Sequence, residues 1–240
     1  MAAKYSIYPT LLDAYEWMIG ADSEDELMVR RKELIDKINR VPQSVTEATQ
    51  RGTALNRLLD FYGVTYGSDI RYDFDNSGAE YAVINVDGKE FAFYCSLLDQ
   101  LNDVTATSIS QVFLSASIDT MFGDVVLYGY ADYCDIDTII DLKTTENYTP
   151  NKYREHWQHR VYPYCYVRGG LGESCVDFNY LTVELQDKSG IYDGRVFREC
   201  YVVDIPQCEV ELRQFLESKF IPFLESVRGQ ITDNKIFKQI

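Results

Sequence analysis

The run from Gly129 to Thr145 constrains this chain more than any other stretch. Aromatic and β-branched residues stand on both sides of Cys134–Thr138, where Asp135 and Asp137 favour a turn. The pattern predicts two strands joined by a short acidic turn. A turn symmetric about Ile136 and Asp137 sets Asp132 directly across from Asp141. Opposed residues of an antiparallel pair share a face, with Cβ atoms about 4.5–5.5 Å apart. Two carboxylates so placed repel each other unless a cation lies between them. By the period of two, Lys143 falls on the face of Asp141 while Leu142 points back toward the core. Oxygen ligands for a divalent cation, with an ammonium beside them, meet the needs of phosphodiester hydrolysis. The cation makes hydroxide available near neutral pH and offsets charge growing on the phosphate. The lysine orients the attacking water or stabilises the oxyanion. The plainer alternative is a surface hairpin with solvated charges. Asp-x-Lys alone is common, but Gly-x-x-Asp followed at this distance by Asp-x-Lys-Thr-Thr is much rarer.

Around this hairpin the periodicity predicts helices at Pro9–Ile19 (Leu11, Leu12, Tyr15 and Ile19 inward) and from a Ser23/Glu26 capping box to Ile38 (Leu27, Leu34, Ile35 and Ile38 inward). A third runs over Thr46–Tyr62 with Ala48, Leu55, Leu58 and Leu59 inward, and Gly52 invites close approach of another backbone. Residues 63–78 read as loop. Tyr81–Val86, Asp87-Gly88 and Lys89–Tyr94 make a hairpin or a strand entering a short helix, Asp-Gly being a good turn signal, and Ser96–Asn102 is helical. Strands follow at Gln111–Ile118, Val125–Tyr133, Thr138–Thr144, Asp177–Leu185 and Arg195–Ile205. Helices are expected at Lys152–Val167 and at Cys208–Val227, the latter interrupted by Pro222. The 240 residues fit one domain: a helical part at 1–62, a sheet core with a central helix at 80–205, and a closing helix at 208–228. The fold class is α/β, a central mixed sheet flanked by helices.

Four pieces of sequence occur in order: Arg51-Gly52-Thr53-Ala54-Leu55-Asn56, Gly129-x-x-Asp132, Asp141-Leu142-Lys143 and Gln158-x-x-x-Tyr162. Together with the Tyr5–Thr10 start, they resemble the PD-(D/E)XK nuclease superfamily, within it the RecB-type nucleases and phage recombination exonucleases, whose first helix that start looks like. The resemblance covers most of the chain and implies Mg²⁺- or Mn²⁺-dependent cleavage of DNA. It assigns Asp132, Asp141 and the backbone carbonyl of Leu142 to the metal, and Lys143 to catalysis. Gln158 and Tyr162, four apart on a helix face, would contact DNA or support the site. Arg51, Thr53, Lys152, Arg154 and Arg160 are further candidates for DNA contact.

The chain departs from that pattern twice. Asn56 stands where the superfamily carries His or Glu; its amide oxygen can ligate a cation or its water but brings no charge, so binding should weaken. Asp60, one turn on, reads first as a surface residue, with compensation for Asn56 as the alternative. Pro163 follows Tyr162, so the helix should kink there and shift Tyr162, with Tyr164 or Tyr166 as substitutes. His156 and His159 read as exposed polar helix residues, and Trp157 as a packing anchor.

The formal charge of −15 argues against a protein that coats nucleic acid non-specifically. From Asp141 to Gly170, however, Lys143, Lys152, Arg154, Arg160 and Arg168 outnumber Asp141, Glu146 and Glu155, a local net of +2. The six cysteines lack a Cys-x-x-Cys pair and are expected to be reduced, mostly buried thiols. No apolar run approaches a membrane span and no leader pattern opens the chain, so the expectation is a cytoplasmic protein without a membrane partner. Its expected partners are DNA and recombination or replication proteins, and no interface signature indicates an oligomeric state. Two alternatives stay open: a nuclease-fold scaffold that binds DNA or protein with impaired catalysis, and an endonuclease such as a resolvase.

Overall fold

β-branched and aromatic alternation in the middle of the chain builds one sheet, and amphipathic helices cover both its faces. A computed structural model describes residues 4–62, 70–172 and 175–237. Among these the strands are β1 (Tyr5–Ile7), β2 (Ile70–Phe74), β3 (Glu80–Val86), β4 (Lys89–Tyr94), β5 (Ile109–Ile118), β6 (Val125–Cys134), β7 (Thr138–Thr145), β8 (Cys175–Lys188) and β9 (Ile191–Asp204). The helices are α1 (Pro9–Ile19), α2 (Glu24–Ile38), α3 (Glu47–Asp60), α4 (Cys95–Thr105), α5 (Gln158–Arg168), α6 (Ile205–Phe215) and α7 (Ile221–Ser226). The sheet runs β1-β6-β7-β8-β9-β4-β3-β2, with β5 also on β6. Parallel pairs (β1/β6, β7/β8, β4/β9) mix with antiparallel ones. The expected α/β class, a mixed sheet flanked by helices, is what the chain adopts. No helix of the described residues is long and apolar enough to cross a membrane.

Two cores result. On one face α1, α2, α5, α6 and α7 close over residues such as Leu127, Ile139, Phe178 and Tyr180. On the other, α3 and α4 cover Ile140, Leu142, Leu181 and Val183. β7 therefore feeds both cores in alternation, as a strand covered on both sides must.

Local chemistry explains the boundaries. Ser23 Oγ accepts the Glu26 N–H and Glu26 Oε2 accepts the Asp22 N–H, which starts α2. Asp87 and Gly88 both take positive φ (51° and 84°), the pairing a tight two-residue hairpin requires. Three inward assignments fail, because Ile19, Leu27 and Ala48 are exposed; in α1 Met18 takes the buried position instead.

Other expectations are corrected as well. The Tyr5–Thr10 start is not all helix: Tyr5–Ile7 is a buried strand beside β6, and α1 begins at Pro9, whose fixed φ suits a first helical position. Within the expected loop at 63–78, Ile70–Phe74 forms edge strand β2 (63–69 lie outside the described residues). It is exposed along most of its length, so no alternation marked it. The helix expected from Lys152 starts only at Gln158. Asn151 takes a left-handed φ of 62°, and bonds from Lys152, Arg154 and His156 N–H to carbonyls three residues back make successive turns. At the C-terminal end a π-helical turn, Leu216–Phe220, joins α6 to α7 ahead of Pro222. That wider turn carries the helix past a residue lacking an N–H without a break. Cys95, Cys134, Cys165, Cys200 and Cys208 are free thiols, all but Cys200 buried, and Cys175's side chain lies outside the described residues.

Candidate active site

The acidic turn is where the spacing put it. The Asp135 N–H donates to the Thr138 carbonyl, and Tyr133 pairs with Ile140 and Cys134 with Ile139. One step further in this register Asp132 stands opposite Asp141, at a position without mutual backbone bonds, where side chains approach closest. The ladder stops there. The Leu142 N–H, which would have met the Ala131 carbonyl, donates instead to Asp132 Oδ2 at 2.8 Å. A side-chain carboxylate has taken the place of a backbone acceptor, and β6 and β7 part.

The cause lies on the neighbouring strand. Gln111, opposite Asp132 in the β5–β6 register, has a left-handed φ of 53° in mid-strand. Both strands exchange faces at this step. Ala131 and Val112 belong to the core under α5, whereas Tyr133 packs in the core under α3 and Ser110 bonds Asp60 on that helix. Asp132, caught between the two orientations, is turned toward β7, and the Gln111 amide bonds its carboxylate.

α5 completes the arrangement. Lys143 Nζ lies 2.6 Å from Asp141 Oδ2 and donates to Gln158 Oε1 at 2.8 Å, while Gln158 Nε2 donates to Asp141 Oδ1 at 2.8 Å. An ammonium only donates and an ionised carboxylate only accepts, so a primary amide is the group that bridges both at once. Burial and the neighbouring charge of Asp141 push the Asp132 carboxyl up to about 7. Burial would lower the Lys143 ammonium, but Asp141, by charge and hydrogen bond, and Asp132 by charge hold it above its ordinary value.

Tyr162 keeps its place beside both carboxylates despite Pro163. α5 runs through the proline, so Tyr164 and Tyr166 are not substitutes: Tyr164 donates to the Ser117 carbonyl and Tyr166 to the carbonyls of Asp135 and Ile136. The buried faces of Val161, Tyr162, Tyr164 and Cys165 offset a proline cost of about 3 kcal/mol. Gly129 makes the room, since a Cβ there would stand 2.6 Å from Tyr162 Cε1. Gly129→Ala should therefore cost roughly 1–3 kcal/mol in urea melts, and a Gly129→Ala/Tyr162→Leu pair should recover part of it. Independent, additive effects would contradict this contact.

The remaining candidates scatter. Asn56 lies on the α3 row between Gly52, against Thr144, and Asp60, which takes a long bond (3.5 Å) from Tyr133 OH. That row passes over the point where β6 and β7 part, and Asn56 Oδ1 is buried with no hydrogen-bond partner. Asp60 does not compensate for it, being held by Tyr133 and Ser110 under α3. Arg51 lies over the Tyr192 ring and pairs with Glu146; with Lys152, which bonds Thr145 Oγ1, it lines a groove of about 560 Å³ at the end of β7. Thr53 bonds back to its own helix at the Thr49 carbonyl, and Arg154 sits in the turns before α5. Arg160 lies over Trp157 and pairs with Glu211 in a cleft whose lining includes neither Asp132 nor Asp141. His159 is not exposed: it is stacked on Tyr201 with ring centroids 4.4 Å apart, and burial lowers it to about 3. His156 is half-exposed in the turns, and Trp157 is indeed an anchor, packed on Phe215.

Asp13 was not foreseen. From α1 it accepts the Trp157 N–H at 2.7 Å, tying α1 to the residue before α5, and with Lys143, His156 and Gln158 it lines a cleft of about 820 Å³. An acidic residue between Leu12 and Tyr15 on an otherwise apolar helix face was its one sequence signal.

The candidate ligands that the resemblance names are all oxygen donors: the two carboxylates, the Leu142 carbonyl and the Asn56 amide oxygen, the last buried without a hydrogen-bond partner. Among the described residues no third His, Cys, Asp or Glu joins the pair. Such a set fits Mg²⁺ or Mn²⁺, which keep several waters, better than a thiolate or imidazole metal.

No family model matches the chain, and no curated protein matches it. Among solved structures it is similar to one described as the crystal structure of SSO0001, with 12% identity over 90% of this chain and 77% of that one and a TM-score of 0.41.

Proposed function

We propose that this chain is a metal-dependent deoxyribonuclease that hydrolyses phosphodiester bonds, acting as an exonuclease on DNA ends in recombination or replication. One observation carries the reading: the paired carboxylates Asp132 and Asp141 lie beside an ammonium that Gln158 ties to one of them. Asp132, Asp141 and the Leu142 carbonyl would hold Mg²⁺ or Mn²⁺, and Asn56, whose Oδ1 is buried without a partner, would be a further, uncharged ligand. When bound, the cation supplies hydroxide near neutral pH and charge neutralisation at the phosphate.

The chain's own groups do the rest. Lys143 orients the water that attacks phosphorus in line with the departing 3′ oxygen, and its charge stabilises the oxyanion. Asp141 and Gln158 keep that ammonium protonated and aimed. Burial keeps the carboxylates in a setting of low polarity, where these interactions are stronger than in water. Arg51 and Lys152, at the far end of β7, would supply positive charge to the DNA backbone on leaving their present partners Glu146 and Thr145. DNA is the proposed partner, together with recombination or replication proteins, and the cytoplasm the proposed location.

Linear and closed circular DNA incubated with the protein in Mg²⁺ and then in EDTA should show loss of the linear form alone, and only in Mg²⁺. Nicking of circles would move the reading to an endonuclease. A binding scaffold without catalysis is the second reading, favoured by the uncharged Asn56. It requires that no cleavage occur at any Mg²⁺ or Mn²⁺ concentration.

A further inference from the structure

β5 pairs with the whole of β6, so β1 and β7 must share the other edge of that strand. β1 reaches only Val125–Leu127 and β7 only Tyr133 and Cys134. Among the described residues, Tyr128–Asp132 therefore has no strand on that side. Val125, Leu127 and Gly129 turn toward α5, which sends Tyr128 and Tyr130 to the opposite face. There four rings lie in a row: Tyr8 and Tyr128 have centroids 5.8 Å apart, Tyr128 and Phe113 6.4 Å, and Phe113 and Tyr130 5.1 Å. Phe113 and Tyr130 are directly opposed across β5 and β6, and they are 42% and 59% exposed. Arg40 joins them, donating to Tyr128 OH at 3.1 Å; its guanidinium also pairs with Asp233 at 3.4 Å and stays partly exposed. Tyr8, Arg40, Tyr128 and Tyr130 also line a cleft of about 400 Å³ that reaches Gly129 and Tyr162 at the open edge.

We propose that this row is a stacking platform for the unpaired bases of single-stranded DNA, leading the strand toward Asp132, two residues beyond Tyr130. The platform deepens the nuclease reading and rests on it for the role of Asp132. A duplex is held mainly through its phosphates, by many cations. A chain of net charge −15 is poorly made for that, and this face offers Arg40. Affinity must then come from contacts indifferent to charge. Aromatic rings supply them to any base with a free face, and a closed duplex hides those faces. Continuity with the carboxylates and a guanidinium for the backbone favour a nucleic acid strand over a second copy of this acidic chain.

Anisotropy of a fluorescein-labelled 15-nucleotide oligothymidylate, and of a blunt 15-base-pair duplex, titrated with the full chain in EDTA, tests the platform. The single strand should bind more tightly, with a log–log salt slope no steeper than about −1, since each phosphate neutralised on a single strand contributes about −0.7 and this face offers one guanidinium. Tyr130→Ala and Phe113→Ala should each weaken binding at least about fivefold, and Tyr130→Trp should preserve it. Unchanged affinity in both Ala variants, or tighter binding of the duplex, overturns the platform. So does a dimer that Tyr130→Ala converts to monomer without loss of single-strand affinity, since the face would then seat a second copy. Ring-dependent single-strand binding without any cleavage in Mg²⁺ would uphold the platform and remove the nuclease reading. Intact cleavage with ring-independent binding would do the reverse.

Discussion

Asp132→Asn should abolish cleavage and at the same time make the metal-free protein harder to unfold. The Asp132 carboxyl is raised from 3.8 to about 7 by burial and by Asp141. A raised acid costs the folded state nothing below the ordinary carboxylate range. The cost grows as pH rises from about 4 to 7 and is complete above that. At 1.36 kcal/mol per unit the shift corresponds to about 4 kcal/mol, of which relaxation leaves roughly 1–3. Asparagine removes the charge, still accepts the Leu142 N–H, and can donate to Asp141. The variant should therefore melt a few degrees higher at pH 8, with the gain shrinking as pH falls toward 4. Mg²⁺ should raise the melting temperature of the native protein, increasingly so up to about pH 7, but not that of the variant. A variant that melts lower than the native protein at pH 8, or that still cleaves, would refute the shared-cation account.

Lys143→Ala should have the opposite effect on stability. Asp141 has a side chain only 4% exposed and would lose its counter-charge, while Gln158 Oε1 would lose its donor. Stranding one member of a buried pair costs about 3–5 kcal/mol. At roughly 2–4 °C per kcal/mol for a chain of this size, the metal-free protein should melt at least about 6 °C lower. Cleavage should fall at least about 100-fold, the loss typical of one removed oxyanion donor. Mg²⁺ should restore part of the stability, because a cation supplies the missing charge, but none of the catalysis. Full activity in the variant, or a stability loss that Mg²⁺ does not touch, would show that Lys143 has another role.

These effects trace to features of unequal visibility in the sequence. The Asp132–Asp141 opposition followed from turn chemistry at Asp135–Thr138, and the Asp87-Gly88 hairpin and the Ser23 cap were legible for the same reason. Each is decided by two or three adjacent side chains. The exchange of faces at Gln111 was not legible, because a left-handed glutamine in a strand has no local signature and depends on the strand beside it. His159 read as polar surface, since only the tertiary fold brings Tyr201 over its ring. Pro163 argued correctly for a local cost, yet burial along α5 outweighs it. Three-residue β1 and exposed β2 are strands by pairing alone, which no periodicity records. The aromatic residues of β6 were visible as a strand, but the face they present was not, because it is fixed by Gly129 yielding its own side to Tyr162.

The claim on which the account rests is that one divalent cation is shared by Asp132 and Asp141. Crystals soaked in Mn²⁺ and measured for anomalous scattering test it most directly. The account predicts a peak within ligand distance, about 2.0–2.3 Å, of an oxygen of each carboxylate and near the Leu142 carbonyl. No peak there, or one bound by either carboxylate without the other, would contradict it.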